Sequence, residues 1–155
     1  MKTNTFYTKK VLVALIAALL PLVASAQTKV EIDGIWYNLV PKAKQAEVTS
    51  GDTKYTGYIN IPDTVTNEGV NYGVTSIGDW VFSDCKSLTS INIPESVTRI
   101  GNYTFNCCSG LTSINIPESV TRIGYGAFAG CSGLTAINIP ENVTLIQYGT
   151  FQNCI

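Results

Sequence analysis

Any chemistry in this 155-residue chain has to be built without histidine, because none is present. That removes the commonest general base and the commonest neutral metal ligand. Serine and threonine hydroxyls are abundant, yet no His stands ready to activate one. Paired carboxylates for sugar hydrolysis would have to come from Glu95, Glu118 and Glu141, which recur at a fixed interval. The same three are the candidates for Ca²⁺, but one carboxylate per repeat is a thin ligand set for an ion that takes six or more oxygens. A repeated position suits structure better than a singular active site. The expectation is no catalytic residue, no cofactor and no metal site.

Five cysteines remain as reactive groups. Cys85, Cys108, Cys131 and Cys154 share one spacing, and Cys107 stands off it. Strands stacked about 4.8 Å apart would bring equivalent cysteines within bridging range. Equivalent side chains point the same way, however, whereas a disulfide needs a specific dihedral. The spacing therefore predicts a buried column of thiols, with Cys107 as the accessible one. The C-x-x-C spacings of zinc and redox sites do not occur. The remaining polar candidates are uncharged: Asn60, Ser90, Asn92, Ser113, Asn115 and Asn138, with Ala136 interrupting the series.

What positions these residues is a 23-residue repeat. Leu88-Thr-Ser-Ile-Asn-Ile-Pro94 returns as Leu111–Pro117 and again as Leu134–Pro140. Ile77, Ile100, Ile123 and Ile146 hold the same period, as do Phe82, Phe105, Phe128 and Phe151. A period of this length with this apolar skeleton reads as a leucine-rich-repeat solenoid. The Leu-x-x-Ile-x-Ile segment predicts a short strand ended by proline, and stacked strands predict a parallel sheet on the concave face. The uncharged candidates then lie exposed on that sheet. There, stacked asparagines can form a structural ladder or line a polar groove for a glycan or extended peptide. Tyr103–Cys108 and Tyr125–Cys131 predict single helical or 3-10 turns on the outer side, with Phe and Cys inward. Arg99 and Arg122 form a further column that could offset the glutamates across the turn.

Three regions follow. Residues 1–26 read as a signal peptide: Lys2, Lys9 and Lys10, an apolar run from Val11 to Leu20, then Ala24-Ser25-Ala26. Without those three lysines the formal net charge moves from −1 to −4. No basic cluster survives to favour nucleic acid or an acidic membrane surface, and no transmembrane span is expected in the mature chain. Residues 27–58 read as an N-terminal β cap, opening with a hairpin across Asp33-Gly34. Trp36, Tyr37 and Tyr58 are expected in the core of that cap rather than on a ligand platform. Residues 59–155 are the repeats. The first coil carries nine additional residues between Val65 and Ile77, which suggest a small hairpin around Asn67-Glu68-Gly69. Such an insertion can be a binding loop or further covering for the first coil. No closing segment follows Cys154, so an uncapped end, a fragment of a longer array, or end-to-end self-association is expected.

The repeat Leu-Thr-Ser-Ile-Asn-Ile-Pro-Glu-Ser-Val-Thr-Arg-Ile-Gly-x-x-x-Phe-x-x-Cys-Ser-Gly resembles the BspA-like, or Treponema pallidum type, leucine-rich repeats. The Ile-Pro, Ile-Gly, Phe and Cys landmarks carry the match over about 59–154. The segment 30–58 is similar to the N-terminal portion that often precedes such arrays. Gln147 departs from the pattern, standing where the other units have glycine. The resemblance implies a right-handed β-rich solenoid exported to the surface of a host-associated bacterium. It also implies an adhesin-like role toward a host extracellular protein, a glycan or another cell-surface protein. The rival expectation is a self-associating surface spacer without a foreign ligand.

Overall fold

The computed structural model describes residues 27–154, so the signal-peptide reading of 1–26 lies outside the described residues. Two strands come first among the described residues, β1 (Thr28–Ile32) and β2 (Ile35–Val40), paired antiparallel with Ile32 opposite Ile35. Asp33 and Gly34 both take positive φ, 51° and 79°. That is the turn whose twist matches the strands, and it accounts for the Asp-Gly pair. β3 (Gln45–Thr49) adds antiparallel to β2. Period-2 alternation buries Ile35, Tyr37, Leu39, Ala46 and Val48 on one face.

The direction then changes. β4 (Gly57–Asn60) precedes a hairpin of β5 (Thr64–Asn67) and β6 (Val70–Ile77), which turns at Glu68-Gly69. β6 lies parallel to β3 on one side and to β8 (Arg99–Ile100) on the other; β9 (Arg122–Ile123) follows β8. β4 pairs in parallel with β7 (Leu88–Asn92) in a separate two-stranded sheet. The longest parallel run therefore lies along the Ile-Gly positions. It is not on the Leu-x-x-Ile-x-Ile segments, where a sheet through every coil was expected. Beyond β7 those segments approach without strand pairing, joined by Thr112 N–H to Thr89 C=O at 3.4 Å.

At the Ile-Gly edge the coils close up. Thr98 donates to Thr75 at 3.0 Å, Gly101 to Ile77 at 2.9 Å and Gly124 to Ile100 at 3.0 Å. Glycine is required there: a Cβ on Gly124 would stand 2.6 Å from the backbone of Gly101 and Asn102.

Among the described residues there is no helix, so the helical or 3-10 turns expected on the outer side are replaced by another device. Alternate N–H groups serve two purposes. Those of Tyr103, Phe105 and Cys107 donate to the next coil, at Tyr125, Ala127 and Ala129, at 2.7–2.8 Å. Those of Asn106 and Cys108 close tight turns onto Tyr103 and Phe105. Tyr103 and Cys107 take positive φ (52° and 57°), as Trp80 and Asp84 do one coil earlier and Gly126 and Gly130 one coil later. Left-handed residues at four-residue spacing stop a helix from propagating and turn half the backbone donors outward to the neighbouring coil.

The core is a set of columns. Phe82, Phe105, Phe128 and Phe151 stack with centroids 5.2, 5.3 and 5.7 Å apart and planes within 7°. Tyr55 stands at the head of that column, 5.0 Å from Phe82. Its hydroxyl donates to Thr49 C=O and accepts from Trp36 N–H. Leu88 and Leu111, with Ile77, Ile100 and Ile123, form further buried columns. One coil cannot bury its apolar face alone, and the stack can. Of the three aromatic residues expected inside the first segment, Tyr37 is buried and Trp36 half-buried. Tyr58 is 63 % exposed, because β4 turns it to the outer face.

Candidate functional site

The uncharged series is where the repeat puts it, on the outward face of the Leu-x-x-Ile-x-Ile segments. Asn60, Asn92, Ser113, Asn115, Ala136 and Asn138 are exposed, and Ser90 is half-buried. Their inward neighbours Ile91 and Ile114 are buried, which fixes the alternation. Pairing of β4 with β7 sets Asn60 opposite Asn92, and Asn92 Nδ2 donates to Asn60 Oδ1 at 2.9 Å. The Tyr58 hydroxyl lies 3.5 Å from the same oxygen. The amide ladder is thus made in one step. The third and fourth coils do not pair as strands here, and Asn115 and Asn138 make no side-chain hydrogen bond among the described residues. Their amides keep their donors and acceptors for solvent or a ligand.

A depression of about 180 Å³ opens at the head of this face, between the first hairpin and the first coil. Asn60 lines it with Asp33, Tyr37, Ile35 and Pro62. Burial, with smaller contributions from Tyr55 and Asp33, pushes the Tyr37 phenol well above its ordinary range, so it stays neutral. Residue patterns did not reveal this depression. It depends on where the β1–β2 hairpin docks against the coil, and no local signal encodes that.

The charged columns do not pair as expected. Glu95, Glu118 and Glu141 stay exposed, and Arg99 turns instead to Asp79 at 3.1 Å and Glu47 at 3.6 Å. Glu47 comes from β3, brought alongside by the β3–β6–β8 ladder. Asp79 also accepts from Asn102, at N–H (2.8 Å) and Nδ2 (3.0 Å), and Asn102 Oδ1 accepts from Tyr125 N–H at 3.0 Å. Among the described residues no three His, Cys, Asp or Glu side chains gather as a metal site would need.

The four periodic thiols form the expected column. Cys85, Cys108 and Cys131 are buried and Cys154 half-buried. Cys108, Cys131 and Cys154 donate to the carbonyls of Phe82, Phe105 and Phe128 at 2.9–3.0 Å. Burial pushes Cys131 up to about 12 and raises Cys85 and Cys108 in the same direction. Cys107 is half-buried, off the column.

The model of the BspA-type leucine-rich-repeat region matches residues 58–155 in six copies. The chain belongs to the BspA-type leucine-rich-repeat family. Among solved structures, this BspA-type chain is similar to a leucine-rich repeat protein from Bacteroides ovatus. Identity is 37 % and the TM-score 0.75, over 80 % of this chain and 33 % of that one. It is also similar to a leucine-rich cell surface protein from Faecalibacterium prausnitzii, with 29 % identity and a TM-score of 0.66, over 85 % and 42 % of the two chains. The Treponema pallidum leucine-rich repeat protein matches at 26 % identity and a TM-score of 0.60, over 73 % and 50 %. The chain therefore spans between a third and a half of these relatives' lengths. No curated protein matches it significantly. No helix among the described residues is long and apolar enough to cross a membrane.

Proposed function

We propose that this chain is an exported surface binding module whose outward Thr-Ser-x-Asn face takes an extended peptide or a glycan of a host or neighbouring cell. The observation that carries it is the row of unengaged amides at Asn115 and Asn138, in line with the engaged Asn60–Asn92 pair. Such a row offers donors and acceptors at the coil spacing without the cost of desolvating a charge. The depression beside Asn60 extends the same face. The hairpin sheet β1–β2–β3 serves as the cap of the first coil, since β3 covers the edge β6 would otherwise expose. The family is an interaction scaffold, and a non-catalytic role is part of this reading. The Faecalibacterium relative, described as a cell surface protein, supports the location.

The test is equilibrium binding of the mature chain to a panel of extracellular matrix proteins and glycans, beside a variant with Asn92, Asn115 and Asn138 changed to Arg. Circular dichroism checks both folds. Binding lost in the variant supports this face; equal binding by both rejects it.

A further inference from the structure

The repeat is strictest on the asparagine face and breaks down at the Ile-Gly edge. The series Asp79, Asn102, Tyr125, Tyr148 changes at its first two steps, and the glycines at 78, 101 and 124 give way to Gln147. Across three successive coils, from Arg99–Asn102 through Arg122–Tyr125 to Gln147, these departures line a depression of about 190 Å³. That lies below the roughly 300–1,000 Å³ typical of drug-sized ligands and suits one small ring.

Its floor is aliphatic, from Ile100 and Ile123, and Tyr125 forms a wall, half exposed. Asn102 holds this wall in place, because its amide oxygen takes the Tyr125 N–H while its amide nitrogen is engaged by Asp79. At the rim stand two groups with hydrogen-bonding capacity to spare. Gln147 makes no side-chain hydrogen bond among the described residues. Arg122 is exposed, with no carboxylate within ion-pairing distance among those residues, whereas Arg99 beside it is held by Asp79 and Glu47. Arg99 and Arg122 are the last basic residues of the chain after Lys86, so Arg122 is the one uncompensated cation of the later coils.

An aromatic face, a free guanidinium and a free amide around a space for one ring match a pyranose that carries a carboxylate. The ring's C–H face packs on tyrosine, the carboxylate pairs with the guanidinium in a fork, and a hydroxyl meets the amide. We infer that the depression between Arg122, Tyr125 and Gln147 binds a single acidic sugar unit, of the uronic or sialic acid kind. This rests on the binding-module reading but not on its asparagine face.

The test uses the mature chain and NMR titration with glucuronic acid and N-acetylneuraminic acid. Glucose serves as the neutral ring, acetate as the carboxylate alone, and a tripeptide with a free C-terminus as the peptide rival. The expected result is saturable binding of an acidic sugar, with glucose and acetate at least about tenfold weaker. Arg122→Gln and Tyr125→Ala, each folded by circular dichroism, should each lose about tenfold or more. Acetate or the tripeptide binding as well as the acidic sugar would overturn the assignment, as would undiminished binding by Arg122→Gln or no binding of either acidic sugar. Failure here with retained binding to a matrix protein would leave the module reading intact. Failure of both assays would remove both.

Discussion

The two long sides of each coil are built differently. On the side running through Ile-Gly to Phe and Cys, backbone carries the stack: alternate N–H groups reach the next coil at 2.7–3.1 Å and glycine lets the chains touch. On the Leu-Thr-Ser-Ile-Asn side, pairing is limited to β4–β7 and one long bond beyond it. Yet side-chain identity is strict on the loosely bonded side and varied at the exposed positions of the tightly bonded one. Where main-chain bonds already fix the spacing, exposed side chains are free to differ. Trp80 and Tyr103 illustrate this, stacked at 4.3 Å in one pair of coils and replaced by Gly126 and Gly149 in the next.

The contrast can be broken from the tight side first. The largest effect is expected at alkaline pH, because burial raises three thiols, Cys85, Cys108 and Cys131, above the ordinary thiol value of 9.0. The stability they contribute is intact below that value and is lost as pH rises above it, for Cys131 toward about 12. The melting temperature should fall through that window. Cys131→Ala should flatten the fall; an unchanged slope would mean the thiol column is not responsible.

Next in size is Phe105→Ala, which removes the middle of the phenylalanine stack between Phe82 and Phe128. Denaturant unfolding should show a loss of about 3–5 kcal/mol. A loss below about 1 kcal/mol would mean that neighbouring coils collapse into the gap.

Gly124→Ala drives a methyl into the backbone of Gly101 and Asn102 and should cost about 1–3 kcal/mol. An unaffected variant would show that the coils are not held at contact there.

The smallest effect is expected on the other side. Asn115→Ala should change stability by no more than about 0.5 kcal/mol, since its amide is exposed and unengaged. A larger loss, measured by the same unfolding assay, would reveal an amide ladder running past Asn92 and would count against a row left free for ligand.

Most of the columns were legible in the chain because a solenoid repeats its environment: a period of 23 repeats both burial and direction. Phe82 to Phe151, Cys85 to Cys154 and the exposed asparagines needed only that logic. The hairpin at Asp33-Gly34 was legible because its turn demands positive φ. Tyr55 at the head of the phenylalanine column was not, because it lies outside the period. Tyr58 was misplaced because aromatic character says nothing about which face a short strand presents.

By itself the sequence determined the family, the period and which side chains face the core, since these follow from spacing and residue type along the chain. Tertiary structure alone decided which edge of the coil carries the parallel ladder. It also decided that Arg99 meets Asp79 and Glu47 rather than Glu95, and that depressions open beside Asn60 and between Arg122 and Gln147. Each of those depends on how closely two coils approach. That separation is set by glycine contacts, left-handed turns and docking of the first hairpin acting together, and no single repeat specifies it.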